Sequence, residues 1–195
     1  MSTHQFNANT YGPLFAQLLA EERENPLGPG KPNAIARPLL ESMTLERAFA
    51  PHPIGDRNMA QACLAGLWLY HDFLEESHAI SQQIRTATGS FWHGLMHRRE
   101  PDSWNSKYWF ERVGQHPVFP TLCNSARELA DNDAPLPETR FLVEQNRWNP
   151  FAFIDLCEAA RLGKTSAESL CRRIQLKEWR LLFDFCYRQA ISELP

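Results

Sequence analysis

Between Met59 and Tyr70 the chain reads MAQACLAGLWLY, and nearly every position in it is apolar. Asp56 stands just upstream, where its carboxylate can accept the free amide hydrogens of a first helical turn. A helix that is apolar around most of its circumference has to be covered on most sides. The segment therefore predicts a central helix, from about residue 57 to 81, and a fold built around it. The flanking segments carry the helical period too. In PLFAQLLAEERE, from Pro13, the residues Leu14, Phe15, Leu18 and Leu19 recur at helical spacing. Sustained alternation of the strand type occurs nowhere, and no repeat emerges. The expectation is an all-α protein, a single-domain irregular helical bundle of about seven or eight helices spanning 1–195.

Local signals set the boundaries. The stretch 25–36, which opens NPLGPGKP, is too rich in Pro and Gly to continue a helix, and 1–10 is polar; both are expected to be irregular. Pro38 suits the first turn of LLESMTLERAF. TATGS at 86–90 interrupts the pattern, with Ser90 as the expected cap of a short helix to about Arg98. Asp102 caps SWNSKYWFERV, and Gly114 ends it. Another helix is expected over 117–130, a loop over 131–137, and 139–147 is ambiguous. Asn149 with Pro150 starts FAFIDLCEAARL, which Gly163 stops. Thr165 and Glu168 form a capping-box pattern for a last helix from Ser166 to about Ala190. Gly163-Lys164-Thr165 ends like a phosphate-binding loop. Glu158 stands where the first glycine would have to be, and the context is helix to helix, so nucleotide binding there is rejected.

A formal net charge of −3 provides no general attraction to nucleic acid, which makes that partner class unlikely. The N-terminal residues show no basic start followed by an apolar core, and the longest nearly apolar run is far short of the roughly 20 residues a spanning helix needs. A cytoplasmic protein with no membrane partner is expected. Cys63, Cys123, Cys157, Cys171 and Cys186 are odd in number and widely spaced, the pattern of reduced core thiols. Oligomeric state is not readable, although the apolar residues between Leu14 and Leu19 would suit a dimer contact.

Chemistry concentrates between Tyr70 and His116, which hold five of the seven histidines. On one continuous helix His71, Glu75 and His78 would share a face at i, i+4 and i+7. His93 and His97 repeat the i, i+4 spacing on the next helix. Two such helices face to face would converge His71, Glu75, His78, His93 and His97, a set from which sites for a divalent transition metal are drawn. His93, His97, Glu100 and Asp102 are candidates for general acid and base work, since imidazole titrates near neutral pH. Glu75 or Glu100 would be the base if a metal activated water. Arg98, Arg99 and Lys107 could neutralise an anion beside the helix that Asp102 begins. Asn105, Tyr108, Trp109, Arg112 and His116 would complete a pocket for a polar ring. Each of these residues also has a bland reading, as an ion pair, a hydrogen-bonded imidazole or a core aromatic.

The string WHGLMHRREPDSWNSKYWFERVGQHPVF, from Trp92 to Phe119, resembles the signature of an uncharacterised bacterial protein family that carries W-H-G-I-M-H-R-R-E-x-D-x-x-N-x-K-Y-W-F. With NPFAFIDLCEAAR and EWRLLFDFCYR, the likeness extends over most of the chain beyond about residue 60. The family has no established function, so the resemblance implies no reaction. Glu111 stands where a second arginine is expected before Val113, which weakens a basic grip at that point.

The leading expectation is a protein that binds or transforms a small anionic or hydroxylated molecule at a His/Arg/Asp/Asn-rich pocket, with metal-dependent hydrolysis as the natural chemistry. The alternative is a non-catalytic interaction or structural module with a polar, hydrogen-bonded helix core.

Overall fold

The computed structural model describes residues 6–191. Among these residues there are eleven α-helices and no strand. In chain order they are α1 (Pro13–Leu18), α2 (Arg37–Glu41), α3 (Leu45–Phe49), α4 (Arg57–Tyr70), α5 (Leu74–Ser81), α6 (Ala87–Arg99), α7 (Ser103–Val113), α8 (Phe119–Asp131), α9 (Arg140–Glu144), α10 (Pro150–Arg161) and α11 (Glu168–Ile191). Seven have eight residues or more, in keeping with the number expected; four short helices of five or six residues complete the set. The stretch 25–36 is irregular as predicted. Within 1–10, Ala8 begins a 3-10 turn and residues 1–5 lie outside the described residues.

The apolar run is the central helix. α4 contacts α3, α5, α6 and α11, and from Ala65 to Tyr70 every residue is buried. Gly66 lets two tryptophans close on it: a Cβ there would stand 2.7 Å from the Trp92 ring, and Trp179 Nε1 donates to the Gly66 carbonyl at 2.8 Å. Three of the predicted caps form. Asp56, Asp102 and Asn149 each accept the amide of the residue three positions on. No described helix is long and apolar enough to cross a membrane. All five cysteines are buried free thiols, as expected.

Four boundaries differ from expectation. The helix predicted over 57–81 breaks after Tyr70, because Asp72 takes a left-handed conformation (φ 64°) and closes a Schellman-type end. Phe73 N donates to the Trp68 carbonyl at 2.9 Å, Asp72 N donates to the Leu69 carbonyl at 3.1 Å, and the Trp68 and Phe73 rings meet at 5.2 Å. Thr86, not Ser90, caps α6, accepting from Gly89 N at 3.1 Å, so that helix begins a turn earlier. Thr44 caps α3 and divides the segment after Pro38 into two short helices. The Thr165 capping box does not form; its hydroxyl is buried without a partner and α11 starts at Glu168. The apolar residues of α1 are likewise not a free surface. Phe15, Leu18 and Leu19 are buried, with Phe15 packed edge-on against Phe49 and Phe183.

Candidate functional site

Breaking the long helix rearranges the histidines. His71 ends α4 instead of continuing its face, and both of its ring nitrogens are engaged. Nε2 meets the Leu18 carbonyl at 3.0 Å, an acceptor only, so it carries the proton, and Nδ1 accepts from Asn33 Nδ2 at 3.1 Å. Burial, with Arg23 nearby, lowers its pKa to about 4. Glu75 is exposed on α5. Neither belongs to the group of ligand atoms that converges, which reduces the five-residue set to three. His116 is also held apart. Val118 N donates to its Nδ1 at 3.2 Å, which places the proton on Nε2, 3.1 Å from Thr88 Oγ1.

The remaining three converge. α5 brings His78 against the face of α6 that carries His93 and His97, and one ligand atom from each lies within 4.8 Å of the other two. The His93 and His97 rings stack at 4.8 Å, while His78 meets them edge-on at 4.6 and 5.4 Å. Nitrogens bound at 2.0–2.1 Å around a tetrahedral ion lie about 3.4 Å apart, so small side-chain rotations would close the set. His93 Nδ1 is buried with no hydrogen-bond partner among the described residues, an unusual state for an imidazole 2% exposed. Burial first, then the neighbouring His97 and His78, lowers its pKa to about 3. Burial also lowers that of His97, against the Glu100 carboxylate. Both imidazoles are therefore neutral near pH 7, the form that binds metals.

Two carboxylates flank His97. Its Nδ1 lies 2.9 Å from Glu100 Oε2, the pairing that fixes an imidazole tautomer and frees Nε2 as a base or ligand. Glu100 and Asp102 also offer ligand atoms within 4.8 Å of one from His97. Asp102 is committed to capping α7, since its two oxygens accept from Asn105 N at 3.0 Å and Asn105 Nδ2 at 2.7 Å. These bonds hold its carboxyl below the usual range.

α7 forms the opposite wall. Trp109 stacks on His93 with centroids 4.0 Å apart and planes 15° apart. That contact needs α6 and α7 to approach closely, which Gly94 allows: a Cβ there would lie 2.8 Å from the Phe110 ring. Ser106 Oγ donates to the Gly94 carbonyl at 2.8 Å and pins the crossing. Gly94→Ala is expected to cost about 1–3 kcal/mol and to loosen the Trp109 stack. Urea denaturation together with Trp fluorescence would read both; an unchanged midpoint would count against the close approach.

The predicted ligand-binding residues divide. Asn105 and Trp109 stay beside the histidines. Arg98 and Arg99 point into the core, where Arg98 Nη2 meets Glu178 Oε2 at 2.5 Å and Arg99 pairs with Asp72 and donates to the Gly28 carbonyl. Lys107 pairs with Asp155 at 2.5 Å, and Arg112 lies 3.6 Å over the Tyr108 ring. Trp104 and Tyr108 are exposed and stack on each other at 5.9 Å. A metabolite-sized pocket formed jointly by His93, the arginines and Lys107 is thus not what the chain builds. Glu178 was missed as a partner, although a sequence signal existed: it stands four residues from both Ile174 and Leu182, a charge on an apolar stripe.

No protein family, curated protein or solved structure matches the chain. The geometry alone carries the functional reading.

His116 gives a pH prediction. Burial lowers its pKa to about 4, against roughly 6.5 in the unfolded chain. The unfolded state takes up the proton first, so this contribution is complete above pH 6.5 and is lost as pH falls to 4. The slope is about 1.4 kcal/mol per pH unit, or about 3 kcal/mol in all. His116→Asn, which keeps an acceptor for Val118 N, should flatten the decline in unfolding free energy over that window. An equal slope in both proteins would refute the assignment.

Proposed function

We propose that His78, His93 and His97 hold a divalent transition metal, and that the protein uses it to hydrolyse a small polar substrate. The observation that carries this reading is the convergence of three imidazoles, one of them buried with an unpartnered nitrogen. Three histidines leave a fourth tetrahedral position open, as catalytic rather than structural zinc sites do. A water there would be acidified toward neutral pH and become the nucleophile. Glu100, half exposed and bonded to His97, orients the ligand and is the nearest candidate to accept the proton. Asp102, with Asn105 bonded to it, supplies polar groups beside His97.

Elemental analysis of protein purified without an affinity tag tests the metal. A stoichiometric transition metal is expected, lost in His93→Ala and His97→Ala and retained in His71→Ala, which separates this set from the five-residue one. Chelation should lower Tm in the wild type and His71→Ala and leave His93→Ala and His97→Ala unchanged. Metal-free protein whose Tm ignores both chelator and added zinc would leave the histidines as a hydrogen-bonded helix contact. Hydrolysis is tested separately, with phosphate and carboxylate ester substrates on metal-loaded protein.

A further inference from the structure

A second cluster lies away from the histidines, where α4, α6 and α11 meet the loop after α1. Arg23, Asn25, Arg98, Arg99, Gln175 and Trp179 line a cavity of about 20 Å3. A water needs roughly 10–15 Å3, so the space admits a single particle of water size or slightly larger. Arg98 is 4% exposed and Arg99 3%.

The charges around it do not cancel. Arg23 and Arg99 share the single carboxylate of Asp72, and Arg98 pairs with Glu178. Three guanidinium groups face two carboxylates, so the cluster carries one positive charge in excess, with Arg98 and Arg99 buried and Arg23 21% exposed at its outer side. The donors do not balance either. Arg98 makes one hydrogen bond through Nη2, while its Nε and Nη1 are buried with no partner among the described residues. The Phe153 ring, 4.9 Å from its Cζ, covers a face of the guanidinium but accepts no N–H in the plane. Burial first, and then the like charges of Arg98 and Arg23, disfavour the charge on Arg99, against the Asp72 carboxylate that favours it.

We infer that this cavity is a buried site for a small inorganic anion of halide size, held by Arg98 with Arg99 and Arg23 around it. One monovalent anion neutralises the excess and accepts the unmet N–H groups at once. A water would accept the hydrogen bonds and leave the charge. Gln175 directs Nε2 at the Asn25 and Pro26 carbonyls, 3.3 and 3.4 Å away. Its Oε1 and Glu178 Oε1 are acceptors left without a partner among the described residues, so a water bridging one of them and Arg98 is the competing occupant. The cavity is too small for phosphate, sulfate or an organic acid, so the site adds charge balance to the core and is no substrate pocket. It does not depend on the metal reading.

Diffraction from wild-type crystals grown in sodium bromide decides the occupant. An anomalous peak inside the cavity, within about 3.5 Å of Arg98 Nε or Nη1, is expected. Chloride titrated against gluconate at constant ionic strength should raise Tm saturably by about 2–4 °C, because gluconate cannot enter. Bromide at surface positions only, a cavity holding water alone, or a Tm that follows ionic strength irrespective of the anion would overturn the inference.

Discussion

Glu178→Ala is expected to lower unfolding stability by about 3–5 kcal/mol, among the largest effects of any single substitution in the chain. Glu178 is 0% exposed, and its Oε2 is the one hydrogen-bonding partner of the equally buried Arg98. Truncation would leave a guanidinium in the core without its carboxylate. The pair itself need not stabilise the fold, since burial pushes the Glu178 carboxyl up even with Arg98 beside it. Replacing both partners with apolar residues, Arg98→Met with Glu178→Leu, should therefore recover most of the loss. Urea denaturation of the two single variants and the double variant makes the comparison. A single-variant loss below about 1 kcal/mol, or a double variant no better than the singles, would show that the pair is not buried as described.

Asp72→Asn is the second large effect, again about 3–5 kcal/mol. Asp72 serves three purposes at the end of α4. It accepts the left-handed backbone at φ 64°, pairs with Arg99, and pairs with Arg23 at 3.1 Å. Arg23 then reaches back to the helix end, its Nε donating to the Tyr70 carbonyl at 3.1 Å, while Asn25 Nδ2 donates to the same oxygen at 2.9 Å. Asparagine tolerates the left-handed conformation as well as aspartate does, so the substitution isolates the charge. Asp72→Gly would relieve the backbone and still lose both pairs, and it should be no more stable than Asp72→Asn. If Asp72→Gly proved as stable as the wild type, backbone strain rather than the ion pairs would dominate at this position.

The same residue explains why the sequence misleads here. Schellman ends usually announce themselves with glycine or asparagine, and the run from His71 to Phe73 contains neither. The break depends on Arg23 and Arg99, 49 and 27 residues away, a dependence that helical periodicity cannot register. Once the helix is taken as continuous, His71 and Glu75 fall on the face of His78, and the proposed ligand set includes two residues that the fold sends elsewhere. Signals confined to one turn fared better. Asp56, Asp102 and Asn149 cap as their chemistry requires, and His93 and His97 share a face because α6 is unbroken between them. Convergence with His78 needed only that the segments on either side of 82–86 fold back on each other. Arg98 and Arg99 stand next to Glu100 and Asp102 in sequence, whereas their partners in the fold lie on α11 and at the end of α4.

The five buried thiols supply a ready chemical clock. Cys63 sits in α4, Cys123 in α8, Cys157 in α10, and Cys171 and Cys186 in α11, all shielded from solvent. An alkylating reagent can reach each sulfur only while its helix is detached from the interior. The order in which the five become modified, followed by mass spectrometry of the intact chain and its peptides, would therefore rank the helices by how often they open.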